Sequence, residues 1–173
     1  MARGPGFRRV LACVVVTATL LGACGGEGKP EARPADGITT EVLPPTILDL
    51  TVGDEDAPKL MKGSEATFID RIGLFSLRRD DLLHATLQIS RFSKDADWKK
   101  PEFRRKVARQ VLEAGSELPT YRMGDTTVHL AVGVRQTTAV WFDGEYMFVM
   151  AAREEYEQPR ALLRELVKLE MPS

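Results

Sequence analysis

The sequence predicts an α+β fold: a mostly antiparallel sheet of about five to six strands, with two main helices packed on one face. Three observations lead there. Residues 82–92 and 126–136 alternate apolar and polar side chains, the period of a half-buried strand. Asp143-Gly144 separates two strand-like runs, 137–142 and 145–152, and Asp-Gly between such runs is a strong hairpin signal. Two stretches with helical spacing each follow a group of strands, which favours helices gathered on one side of an antiparallel sheet.

Residues 1–23 contain Arg3, Arg8 and Arg9, no acidic residue, and an apolar run over 10–21. A dozen apolar residues are too few to cross a bilayer of ~30 Å as a permanent helix, and they suit the apolar core of a cleaved signal peptide. The run ends in Leu21-Gly22-Ala23-Cys24. This string resembles the lipobox of bacterial lipoproteins, with Leu three places before the cysteine and small residues between. The resemblance covers the first two dozen residues and implies cleavage before Cys24, thioether lipidation of its sulfur, and acylation of the new amino group. It further implies an extracytoplasmic chain held on the cell membrane. One acyl chain binds a membrane only marginally, at ~0.8 kcal/mol per buried methylene, whereas two or three anchor stably.

From Gly25 the chain reads Gly-Gly-Glu-Gly-Lys-Pro-Glu-Ala-Arg-Pro-Ala-Asp-Gly, with no apolar residue larger than Ala before Ile38. Such a segment buries too little surface to offset its ordering entropy. Residues 24–45 are therefore expected to be a lipidated tether closed by Pro44-Pro45, and 46–173 a single folded domain.

Residues 46–52 form a strand candidate, stopped by Gly53-Asp54-Glu55-Asp56, and Pro58 to Lys62 suit one helical turn. Residues 72–77 make a short apolar strand, and Arg78-Arg79-Asp80-Asp81 a turn. In 82–92, Leu83, Ala85, Leu87 and Ile89 point one way, while His84, Thr86, Gln88 and Ser90 form an expected polar face. Pro101 suits a first helical turn, and Phe103, Val107, Val111 and Ala114 recur at helical spacing, with Gly115 a fitting end. In 126–136, Val128, Leu130, Val132 and Val134 form the inward set. With Asp143 and Gly144 as the loop, Phe142 should face Glu145 and Trp141 should face Tyr146. Both sides of this hairpin are apolar, which places it inside the sheet. Pro159 opens the last helix, with Leu162, Leu163, Leu166, Val167 and Leu169 as its stripe. The order hints at two related halves, with His84 and His129 in matching places.

Composition narrows the chemistry. The first 23 residues hold three of the 24 basic residues and none of the 25 acidic ones, leaving 21 against 25, a net charge of −4. That gives no general case for nucleic acid. Both cysteines, Cys13 and Cys24, lie within the first 24 residues, so the domain offers no disulfide, thiol nucleophile or cysteine ligand. Neither a Gly-x-Ser-x-Gly elbow nor a phosphate-loop string is present. Asp54-Glu55-Asp56 and Asp95-x-Asp97 lack the ligand ladder of a calcium loop and read as turn and cap residues. No catalytic residue, metal site or cofactor is expected.

One local departure stands out. Lys99, Lys100, Arg104, Arg105, Lys106 and Arg109 load the first helix against Glu102 and Glu113, with Trp98 at its head. Of these, Lys99, Lys100, Arg104, Arg105 and Arg109 are the candidate polyanion-binding residues. The expectation is a non-catalytic, membrane-anchored binding or accessory domain of the bacterial envelope, meeting an envelope protein or anionic polymer. The alternative is a carrier of a small hydrophobic or lipid ligand, with Trp141, Tyr146 and Phe148 lining a pocket; a hydrolase without a motif is the weakest reading.

Overall fold

The computed structural model describes residues 37–56, 68–115 and 117–171, with the backbone of two short strands, β1 (Ala32–Arg33) and β4 (Leu60–Met61). The signal segment, Cys24 and half of the expected tether lie outside the described residues, as does most of the helical turn expected at 58–62. Leu60 and Met61 themselves are extended and pair antiparallel with Ala32 and Arg33.

The fold is α+β. Its remaining strands are β2 (Thr46–Ile47), β3 (Leu50–Glu55), β5 (Ile69–Arg79), β6 (Leu82–Phe92), β7 (Thr120–Met123), β8 (Thr126–Val132), β9 (Gln136–Asp143) and β10 (Tyr146–Arg153). They form one eight-stranded antiparallel sheet in the order β2-β3-β5-β6-β10-β9-β8-β7. Helix α1 spans Pro101–Val111 and α2 spans Pro159–Leu166.

The strand count of five to six is thus corrected to eight. The run 46–52 is two strands, because the chain reverses at Leu48, whose φ of 54° is left-handed. Residues 53–55 continue β3 instead of forming a turn. The edge strand β7 carries Thr-Tyr-Arg-Met, an alternation only four residues long of which three are exposed. Expected inward residues Val132 and Val134 are 75% and 86% exposed, since β8 ends at Val132 and Val134 belongs to the turn into β9.

The hairpin β9–β10 is interior, as its two apolar sides require, but its register differs. Asp143 pairs with Tyr146, Phe142 with Met147 and Trp141 with Phe148, so Gly144 and Glu145 are the loop residues. Gly144 occupies the first central position at φ 52°, the left-handed geometry that a two-residue turn with a leading glycine needs.

The helices pack on opposite faces, not on one. Met147 and Val149 of β10 join Ala108 and Val111 of α1 in one core cluster; Phe148 and Met150 join Leu162, Leu163 and Leu166 of α2 in the other. The cause is covalent as well as hydrophobic. To run from β6 to the edge strand β7, the chain must cross β10, β9 and β8, so α1 lies over that half of one face. The other side of the same strands is equally apolar and needs α2. Trp141 and Phe148, opposite each other on that side, stack at 5.1 Å between ring centroids, both essentially fully buried.

Packing also reaches back beyond Thr46. Leu43 is buried, the Ile38 N–H donates to the Ile72 carbonyl at 3.3 Å, and the Thr40 N–H and Oγ1 donate to the Asp54 carboxylate at 3.0 and 2.9 Å. The folded part therefore starts near Ile38, although Gly and Pro dominate the sequence just before it.

Candidate functional site

The basic helix is placed by its own ends. Pro101 at the first helical position has the φ a helix needs and lacks only an N–H that would be unpaired there. Just before it, the Lys100 N–H donates to the Asp97 carbonyl at 2.8 Å. The apolar stripe turns inward: Phe103 sits edge-on to Phe68 at 5.7 Å and to Phe92 at 5.4 Å, and Ala108 and Val111 are buried. The opposite flank therefore faces water.

The five candidate cations divide. Lys99, Lys100, Arg105 and Arg109 are exposed, as is Lys106 between them. Lys100 pairs with Asp97 at 2.9 Å, and the Lys99 ammonium lies 5.3 Å from the Trp98 ring centre. Arg104 goes the other way. Its Nε donates to the Trp98 carbonyl at 2.7 Å and its Nη2 to the Gly144 carbonyl at 2.9 Å. The guanidinium also lies 5.8 Å from the Trp98 ring and 5.7 Å from the Phe142 ring. Burial pushes its pKa below the usual arginine value, with Asp143 pulling it back up. Arg104 is thus a clasp between the helix start and the β9–β10 turn, and it leaves the set of candidate anion-binding residues.

The two histidines are not equivalent exposed strand residues. At β6 the register slips, with Leu77 opposite Ala85 and Arg78 opposite Leu83, so His84 is the extra residue of a β-bulge. The bulge turns its ring onto Tyr156 of the α2-side core, at 5.6 Å, and only 9% of His84 remains exposed. His129 is on the α1 side, paired across the ladder with Thr120 and Val140. Its Nδ1 is 3.0 Å from Thr120 Oγ1, and its pKa is lowered first by burial and then by the Arg105 charge. The proposed correspondence of the two halves therefore does not extend to their histidines. Nor is the face of β6 holding Gln88 and Ser90 a wet one: both are buried, and the Gln88 amide donates to Ser90 Oγ at 3.1 Å.

A second charged cluster escaped the sequence. Asp70 is the extra residue of another bulge in β5, and Arg91 donates to both its carboxylate oxygens, through Nε at 2.8 Å. That pairing, followed by Glu145, raises the Arg91 pKa. The cluster ties β5, β6 and the hairpin turn together and offers no unpaired charge. Among the described residues, no three His, Cys, Asp or Glu side chains gather as a metal site, and no helix is long and apolar enough to cross a membrane. Trp141 and Phe148, two of the three aromatics offered as a pocket lining, are stacked core residues.

Comparison with protein-family models, with curated proteins and with solved structures gives no match for this chain.

Proposed function

We propose that this chain is an exported lipoprotein, acylated at Cys24 and held on the extracytoplasmic face of the cell membrane, whose domain acts without catalysis as an anion-docking accessory of the envelope. The docking flank is the outer side of α1, with Lys99, Lys100, Arg105 and Arg109, and its partner is an envelope protein or polymer that presents negative charge. The observation that supports this reading is the division of labour on α1: Arg104 turns in and fixes the helix, while Lys99, Lys100, Arg105 and Arg109 stay exposed on a net-acidic chain. Basic residues beside an anionic surface contribute ~1 kcal/mol each, so two of them outweigh the mild overall repulsion at short range.

The test uses the full chain in membranes and, after extraction, vesicles containing phosphatidylglycerol. Cys24→Ala should abolish the acyl mass and release the protein from the membrane fraction. Arg105→Glu with Arg109→Glu should keep the acyl mass but weaken vesicle binding roughly 30-fold or more, from a loss of at least ~2 kcal/mol. Unchanged vesicle binding in that variant would remove α1 from the account without touching the anchor.

A further inference from the structure

Among the described residues, four of the five large apolar side chains left exposed gather at one end of the sheet: Leu48, Leu82, Val132 and Val134, the fifth being Tyr121. The registers place them there. Arg79 faces Leu82 across the β5–β6 turn, Ala85 faces Ala152 of β10, Gln136 faces Arg153, and Val132 faces Thr137 across the β8–β9 turn. Scattered single apolar residues need no explanation, but a shared end made of turn tips is a patch.

The two inner tips carry opposite charge. The β5–β6 tip holds Asp80 and Asp81, both left-handed at φ 49° and 63°, followed by Leu82, 65% exposed. The arginines before them are already engaged: Arg78 with Glu55 at 3.0 Å, Arg79 with Asp49. Neither aspartate thus has an ion-pair partner among the described residues. The β8–β9 tip holds Val132, Val134 and an exposed Arg135, whose guanidinium has no ion-pair partner among the described residues. In the order β5-β6-β10-β9-β8, strand β10 lies midway between the tips, which are three strand spacings, about 14 Å, apart.

We infer that this end is an isologous interface with a second copy of the chain. A two-fold axis normal to the sheet, just beyond the end of β10, sets Asp80, Asp81 and Leu82 of each copy against Arg135 and Val134 of its mate. A closed two-fold contact requires one surface to be complementary to itself, and an acidic-apolar tip and a basic-apolar tip placed evenly about a central strand meet that requirement. Leu48 has no counterpart, since the same axis carries it past the β7 edge. A contact made by turn tips belongs to the small-interface class below ~1,200 Å², so the association is weak in dilute solution.

The experiment uses the full chain carrying Cys13→Ser and Cys24→Ser, which removes both natural thiols. Leu82→Cys and Val134→Cys are made separately in it and oxidised mildly, alone and mixed. The mixture should form a disulfide dimer several-fold faster than either chain alone, because each new thiol faces the other position and not itself. Lys106→Cys, on the α1 flank, should cross-link with neither. Asp80→Asn with Asp81→Asn keeps side chains that tolerate the left-handed turn and should weaken self-association by tenfold or more in sedimentation equilibrium, as should Arg135→Glu. Equal cross-linking in the mixture and in either single chain, or a strictly monomeric parent at its highest soluble concentration, would overturn the interface.

Discussion

Arg104 shows how one side chain can change role without changing type. On a helical wheel it is one cation in a basic run; in three dimensions it bridges two carbonyls, those of Trp98 and Gly144, forty residues apart in the latter case. Hydrogen bonds from a charged donor contribute about 1.5–3 kcal/mol each, less where water competes. Arg104→Met keeps the aliphatic stem over Trp98 and Phe142 and removes both bonds, so it should cost about 1–3 kcal/mol in urea unfolding. Its effect on vesicle binding should be smaller than that of reversing Arg105 and Arg109. The opposite ranking would return Arg104 to the docking face. The helical period sets the two apart, since Arg104 is four residues before the buried Ala108 and seven before Val111, while Arg105 lies about 100° further round. What the sequence does not show is the partner, because the Gly144 carbonyl is brought to Arg104 by the β9–β10 turn.

At the scale of elements, legibility followed periodicity. The alternation in β6 and in β8 up to Leu130 and both proline-led helices stand where their spacing puts them, and the hairpin forms at the Asp-Gly signal with its loop one residue later, at Gly144-Glu145. Features without a sustained period were hidden: the bulges at Asp70 and His84, the four-residue edge strand β7, and the choice of face for each helix. A stripe tells a helix that it must bury one side, but not against which side of the sheet. The N-terminal entry was hidden for a different reason. Its packing depends on a glycine in another element, Gly73 of β5. A Cβ there would lie 2.5 Å from the Ile38 carbonyl oxygen, 2.9 Å from Ile38 Cβ and 2.8 Å from Phe75 Cζ. Backbone oxygen cannot move aside as a side-chain tip can, so Gly73→Ala must lift the segment carrying Ile38 and Leu43. The expected cost is about 1–3 kcal/mol, the range of overpacked cores, with faster hydrogen exchange at the Ile38 amide. Gly115→Ala, where a Cβ meets nothing within 4 Å, is the matched control. If both variants behave alike, the close approach at Gly73 does not hold the entry segment.

For the molecule as a whole, the shifted groups combine into a stability profile with a defined flat region. Burial pushes the Asp49 carboxyl up, but its own backbone N–H, the Arg79 guanidinium and the Tyr156 hydroxyl outweigh that and leave it below its ordinary 3.8. The hydrogen bond from Arg78 holds Glu55 below 4.5. Burial, then Arg105, holds His129 below 6.5. All three groups bind protons more readily in the unfolded chain. Their stabilisation is complete above those ordinary values and is lost as pH falls through the lowered folded ones. Tyr156 has the opposite sign: burial, then Asp49, raises it above 10.0, so its contribution is present below that value and is lost as pH rises through the raised folded pKa. Unfolding free energy from urea titrations should therefore be level between about pH 7 and about pH 9.5 and fall on both sides. The first acid step belongs to His129: His129→Gln should flatten it, and Arg105→Gln should shrink it by moving the His129 pKa back toward 6.5, visible in an NMR titration of the ring. Tyr156→Phe should flatten the alkaline step instead. A step that persists in His129→Gln would separate the acid response of the domain from the charge of its helix.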